Sequence, residues 1–157
     1  VKITKITAEM LEAENACGQQ VALFKKIFPD GAKLTRGNWE EAKGVELDVW
    51  FCVKFLSPKK LAEFSKIRDS AWAEYDEVCE LARIKYDKIL CLAWAEYAKV
   101  CGFNLPEYNK GNNPAWVEYN NICGPARAKY DKVWNSTWTE YEKVCVSALF
   151  ALLESQE

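Results

Sequence analysis

The chain has 157 residues, half of them hydrophobic and 28% charged, with a formal net charge of −2. That is enough for one domain whose core needs neither metal nor disulfide, and the charge is too balanced for a surface that tracks phosphates or mimics nucleic acid. There is no histidine, which removes the commonest general base, the commonest zinc ligand and every Ser-His or Cys-His nucleophile.

Residues 1–57 read as an N-terminal helical segment of several short helices. The opening VKITKI alternates β-branched residues as a short strand does, with no evident partner. Thr7 is placed to cap a helix through AEMLEAENACGQQVALFKKIF that bends near Cys17 and Gly18, and Phe28-Pro29-Asp30-Gly31 ends it with turn residues. Thr35 or Asn38 opens a short helix through Glu40 and Glu41, and the most apolar run, DVWFCVKFL, follows. Ser57 and Pro58 then read as N-cap and first helical residue of a new region. Trp50, Phe51, Phe55 and Phe24 are expected to be buried where this segment covers the open end of that region.

From 58 to 157 the chain is an undecapeptide array. Tyr75, Tyr86, Tyr97, Tyr108, Tyr119, Tyr130 and Tyr141 are spaced by eleven, and the same phase meets Phe64 and Leu152. Three residues after the tyrosine stand Ile67, Val78, Ile89, Val100, Ile122, Val133 and Val144; four before it, Ala71, Ala82, Ala93, Ala115 and Ala126 recur. A period of twenty-two lies on top: Trp72, Trp94, Trp116 and Trp138 precede alternate tyrosines by three, with Arg83 and Arg127 in that place between them, and Cys79, Cys101, Cys123 and Cys145 follow by four. Eleven residues make three turns at ~3.67 per turn, close to a relaxed α-helix. With Tyr at zero, Ala and Cys fall at about −33° and +33°, and Val/Ile and Trp at about −65° and +65°, an apolar stripe roughly 130° wide. Glutamates, aspartates and lysines flank it, which is the pattern of an amphipathic helix.

The fifth unit, GFNLPEYNKGN, followed by Asn113 and Pro114, concentrates glycine, proline and asparagine and predicts a central turn at 102–114. The expected fold is therefore all-α: the N-terminal short-helix subdomain, then a long antiparallel helical hairpin that sets unit four on six, three on seven, two on eight and one on nine. This places Trp94 near Trp116, Trp72 near Trp138 and Tyr86 near Tyr130. Gly124-Pro125 and Asn135-Ser136 also punctuate unit boundaries, so a short-helix α-solenoid is the alternative, and Pro125 predicts a kink or break near Cys123 and Gly124 in either case.

The pieces SAWAEYDEVC, LARIKYDKIL, LAWAEYAKVC, PAWVEYNNIC, PARAKYDKVW and STWTEYEKVC, behind ACGQQVALFKKIFPDG, resemble small proteins of tailed phages and prophages that carry alternating AWAEYDKV and ARAKYDKV units. The resemblance covers most of the chain and brings no site residue with it. It implies a small accessory phage protein, of a type that binds and disables a host factor, working in the host cytoplasm. The fifth unit departs from the repeat, so its loop is where this member differs.

Candidate chemistry is sparse. The Trp row with Arg83 and Arg127 could stack bases and meet phosphates, but Trp at helical spacing with Arg at the stripe edge is more often core. The phased cysteines bring at most two thiols together across a hairpin, so no metal is expected; odd in number, without Cys-x-x-Cys and behind no secretory segment, they read as reduced thiols of a cytoplasmic protein. A tyrosine repeated in seven units holds structure, and no Walker loop, GxGxxG or GxSxG occurs. No stretch reaches the ~20 apolar residues of a membrane span. The expectation is a non-enzymatic protein without cofactor that binds and inhibits a host protein or complex, such as a CRISPR-type or other defence nuclease, with nucleic acid disfavoured as a direct ligand. Its partner surface is placed on Phe103, Asn104, Glu107, Tyr108, Lys110, Arg83 and Arg127, because turn tips vary without harming a core. A small-ligand, nucleotide-sequestering or lipid-binding helical protein is the alternative, and a homodimer whose array halves pack across two molecules has the same contacts as a monomer.

Overall fold

The computed structural model describes residues 2–101 and 114–155. In chain order these form β1 (Lys5–Ile6), α1 (Ala8–Ala13), α2 (Gly18–Ile27), β2 (Ala32–Lys33), α3 (Arg36–Gly44), a 3-10 helix (Val49–Phe55), α4 (Pro58–Cys101) and α5 (Pro114–Glu154). The fold is all-α, with one two-stranded ladder. Its residues gather into two compact units, 1–71 with 142–157, and 72–141.

The first unit is built by local signals. Thr7 Oγ1 accepts from the Met10 amide at 3.4 Å and Thr35 Oγ1 from the Asn38 amide at 3.3 Å, each satisfying an orphan donor of a first turn. The bend at Cys17 is a full break: α1 ends at Ala13 and α2 starts at Gly18. The N-terminal strand does find a partner, the pair just past the Pro29-Asp30-Gly31 turn, in antiparallel register Lys5 to Lys33 and Ile6 to Ala32. Gly31 permits this, because at φ +84° a β-carbon there would stand 2.7 Å from the Ile6 carbonyl oxygen. Ile6, Leu11, Val21, Phe24, Phe28 and Ala42 make one core cluster. Phe24 is buried as expected, while Trp50, Phe51 and Phe55 are only half-buried.

The C-terminal stretch of α5 supplies the driest part of this unit: Cys145, Leu149 and Leu153 are fully buried. The N-terminal segment is fastened to it by Trp39 against Phe150, with ring centroids 5.9 Å apart. It is fastened also by the Ile3 amide donating to the Leu153 carbonyl at 3.0 Å, and by Lys43 Nζ donating to both oxygens of Glu142 at 2.6 and 2.7 Å. Ser57 opens α4, its hydroxyl accepting from the Lys60 amide at 3.4 Å.

The second unit is an antiparallel helical hairpin. Tyr86 stacks on Tyr130, with centroids 5.4 Å apart and planes 20° apart, at its middle level. One unit away on either side, Tyr97 meets Tyr119 and Tyr75 meets Tyr141, both at 5.9 Å. The units pair four on six, three on seven and two on eight, as the centred turn requires. Residues 102–113 of that turn, and with them Phe103, Asn104, Glu107, Tyr108 and Lys110, lie outside the described residues.

The solenoid alternative does not form, because α5 continues through Gly124, Pro125, Asn135 and Ser136. Proline costs one backbone bond, but the seam residues Cys123 and Ala126 on either side of it are buried and hold the helix together. At the later boundary, Ser136 and Thr137 hydroxyls donate to the Val133 carbonyl at 2.9 and 2.8 Å, and Thr139 donates to the Asn135 carbonyl at 2.9 Å. These side chains bond back along the helix instead of ending it.

Candidate functional site

Two antiparallel helices can close only the strip between them. Tyr75 and Tyr97, Ala93, and Cys101, Cys123 and Ala126 are buried, and all lie within about 33° of the stripe centre. The positions at about 65° need a third layer that a hairpin lacks. Because the two halves of the array are related by an approximate twofold axis, both helices turn their Trp and Cys side to one face and their Ala and Val/Ile side to the other.

On the Trp face the rings cross the seam. Trp94 meets Tyr119 at 6.0 Å and Trp116 meets Tyr97 at 5.8 Å; Trp72 meets Tyr141 at 5.6 Å and Trp138 meets Tyr75 at 5.7 Å. Each Trp thus lies at the level expected for it, but its edge partner is the opposite tyrosine, not the opposite Trp. Trp134, in a cysteine place of the repeat, stacks on Trp138 at 6.3 Å. The row is half-open: Trp72 is 48% exposed, Trp94 45%, Trp134 43% and Trp138 37%. One indole surface covers the tyrosines while the other faces water, so the expectation of a closed Trp core is corrected.

Arg83 and Arg127 stand in the same row and are both exposed. Arg83 donates from Nε and Nη2 to the two Glu80 oxygens at 2.8 and 2.7 Å, and Arg127 lies 3.9 Å from Asp131. Hydrogen bonding from Arg83 lowers the Glu80 carboxyl below its ordinary range. Exposed pairs of this kind hold weakly against solvent, so an incoming carboxylate can take either guanidinium over.

The aliphatic face carries a groove of about 460 Å³ over Tyr86 and Tyr130, walled by Val78, Ile89 and Val133 with Lys85 and Lys129 beside them. A separate cavity of about 120 Å³ lies inside the first unit, lined by Phe24, Phe28, Trp39, Phe51, Cys52 and Phe150 among others. Neither was singled out from the sequence.

One thiol and three phenols are shifted toward their protonated forms. Burial first, then the charge of Asp48, pushes the Cys52 thiol up to about 12. Burial, then hydrogen bonding with Cys79, pushes the Tyr75 phenol up to about 12; Tyr97 and Tyr119 shift upward for the same reason, beside Cys101 and Cys123. Among the described residues no disulfide forms, no group of three or more cysteine and carboxylate ligands gathers that could hold a metal, and no helix is long and apolar enough to cross a membrane. Comparison with protein-family models, with curated proteins and with solved structures finds no match.

Proposed function

We propose that this chain is a non-enzymatic binding protein whose Trp face docks on another protein. The observation that carries the reading is the row of four tryptophans, each about two-fifths to one-half exposed on a pair of regular helices. Trp and Arg are the residue types that dominate protein interfaces, and here both are presented from regular helices that lose little entropy on binding. The upward shifts of the Cys52 thiol and of the Tyr75, Tyr97 and Tyr119 phenols support binding over covalent chemistry at those groups. The finer reading rests on the resemblance of the repeats: an accessory protein of a phage that engages a host protein or complex, such as a defence nuclease, and inhibits it.

The test is capture from a bacterial lysate with the tagged wild type beside Trp94→Lys and Arg83→Glu, each checked for unchanged helicity by circular dichroism. A host complex retained by wild type, lost by both variants and inhibited by the purified protein supports the proposal. Equal capture by all three, or none by the wild type, overturns it. The cavity of the first unit favours one second reading, a small apolar ligand, since a cavity near 150 Å³ holds a molecule the size of benzene. Native mass spectrometry of protein purified from its own host distinguishes this reading by a bound small mass.

A further inference from the structure

We propose that the aliphatic face of the hairpin is a self-association surface, on which a second copy of this chain packs antiparallel and staggered by one eleven-residue unit. This face lies opposite the Trp face, so the inference stands apart from the reading above.

The first argument is area. Val78 is 43% exposed, Leu81 53%, Ile89 37%, Leu92 61%, Val100 72% and Ile122 42%, and all six project on the Ala and Val/Ile side of the two helices. At roughly 150–180 Å² for a whole aliphatic residue, these fractions leave about 500 Å² of apolar surface on one face, the size of the largest patch on a typical monomer, which is often functional. That is less than the ~800 Å² per partner of a standard stable interface, so the association is of the weak, reversible class. A second hairpin is the layer that would bury Ile89, Leu92, Val100 and Ile122, which lie within the stretch two staggered copies share.

The second argument is charge, and it selects the occupant. The residue before each tyrosine lies at about −98° and points straight out of the aliphatic face. In the Trp units it is acidic and in the Arg units it is basic: Glu74, Lys85 and Glu96 along α4, and Glu118, Lys129 and Glu140 along α5. Lys85 and Lys129 both line the groove. A second copy placed without offset would set lysine on lysine and glutamate on glutamate. A twofold axis perpendicular to the helices and half a unit from the Tyr86 and Tyr130 level shifts the copies by about 16 Å. It then sets Lys85 against Glu96 of the second copy and Lys129 against its Glu118, with both pairs repeated by symmetry. The same axis passes at the level of Leu92, one of the two most exposed aliphatic residues of the face. Glu96 now pairs with Lys99 of its own helix at 2.6 Å, an exposed contact that yields at small cost.

Sedimentation of the full chain across the micromolar range tests this. The wild type is expected as a reversible dimer. Lys85→Glu with Lys129→Glu is expected to weaken the dimer at least about tenfold while the helical signal is unchanged, since like charges then face each other. Adding Glu96→Lys and Glu118→Lys to that variant restores opposite pairing and is expected to bring the dissociation constant back to within about threefold of wild type. Asp76→Lys, on the Trp side, is expected to leave it unchanged. A wild type that is monomeric throughout, a double variant that dimerises as before, or a folded fourfold variant that stays monomeric overturns the proposal.

Discussion

Glu142 occupies the position that three other units give to a solvated aspartate, Asp76, Asp87 and Asp131, yet it is only 5% exposed. Both its oxygens accept from Lys43, and Arg36 lies 3.8 Å away. Removing one partner of a buried pair strands the other, whereas an exposed pair costs little. The Lys43 side chain is 36% exposed, so Lys43→Ala is expected to destabilise the first unit by about 2–3 kcal/mol, below the full cost of an entirely buried pair. Urea unfolding measures this, and a loss under about 0.5 kcal/mol would place the pair among ordinary surface contacts. The tyrosines give a second expectation at this scale. A phenol whose folded value lies above its unfolded one stabilises the fold below the unfolded value near 10, and that contribution disappears as pH rises through the folded value. Since Tyr75 is pushed up to about 12, and Tyr97 and Tyr119 in the same direction, the hairpin is expected to lose stability between pH 10 and 12. Tyrosinate absorbance followed with the circular dichroism signal checks it; helix loss completed below pH 10 would contradict the burial argument.

Helix α5 shows how packing overrides local punctuation. Gly124 and Pro125 favour a break, but the eleven-residue stripe runs through them unchanged in phase, and burial of Cys123 and Ala126 outweighs one missing backbone bond. Nothing lies within 4 Å of a β-carbon added at Gly124, so Gly124→Ala is expected to raise hairpin stability by about 0.5–1 kcal/mol, read as a shift of the urea midpoint with unchanged slope. A destabilised variant would mean that the helix needs glycine there. The same comparison explains what was legible in advance. The period, the pairing of units and the caps at Thr7 and Ser57 are carried by residue type and spacing, so they were readable, while the third cap is narrowed only to Thr35 or Asn38. The partner of the N-terminal strand was not, because Ala32-Lys33 has no strand pattern and pairs only once Gly31 folds the chain back. The half-open Trp row was equally hidden: spacing places Trp on the apolar stripe, but how much of that stripe closes depends on whether two helices or four are present. The buried Glu142 pair is hidden too, since it depends on α3 arriving from ninety-nine residues away.

Across the whole molecule, one helix serves two units of very different dryness. Within the first unit, α5 contributes Cys145, Val146, Leu149 and Leu153, none more than 2% exposed. Within the hairpin the same helix offers Cys123 and Ala126 at 9% and 8%, with Val117, Ile122, Trp134 and Trp138 at 37% or more. Local opening free energy follows buried apolar contact, so two stretches of one continuous helix are expected to exchange their amides at different rates. Hydrogen exchange followed by mass spectrometry is expected to show 145–153 protected at least about tenfold longer than 117–133 in dilute protein, a difference of about 1.4 kcal/mol or more in opening. Concentration supplies the discriminating variable. If a second copy covers the aliphatic face, protection of 81–100 and 117–133 rises with protein concentration while that of 145–153 does not, because only the former gain a buried layer by mass action. Uniform protection along α5 would mean that the hairpin is sealed by its own seam. The exposed indoles and aliphatic side chains would then be surface without energetic consequence, and neither the Trp face nor the aliphatic face would need a partner.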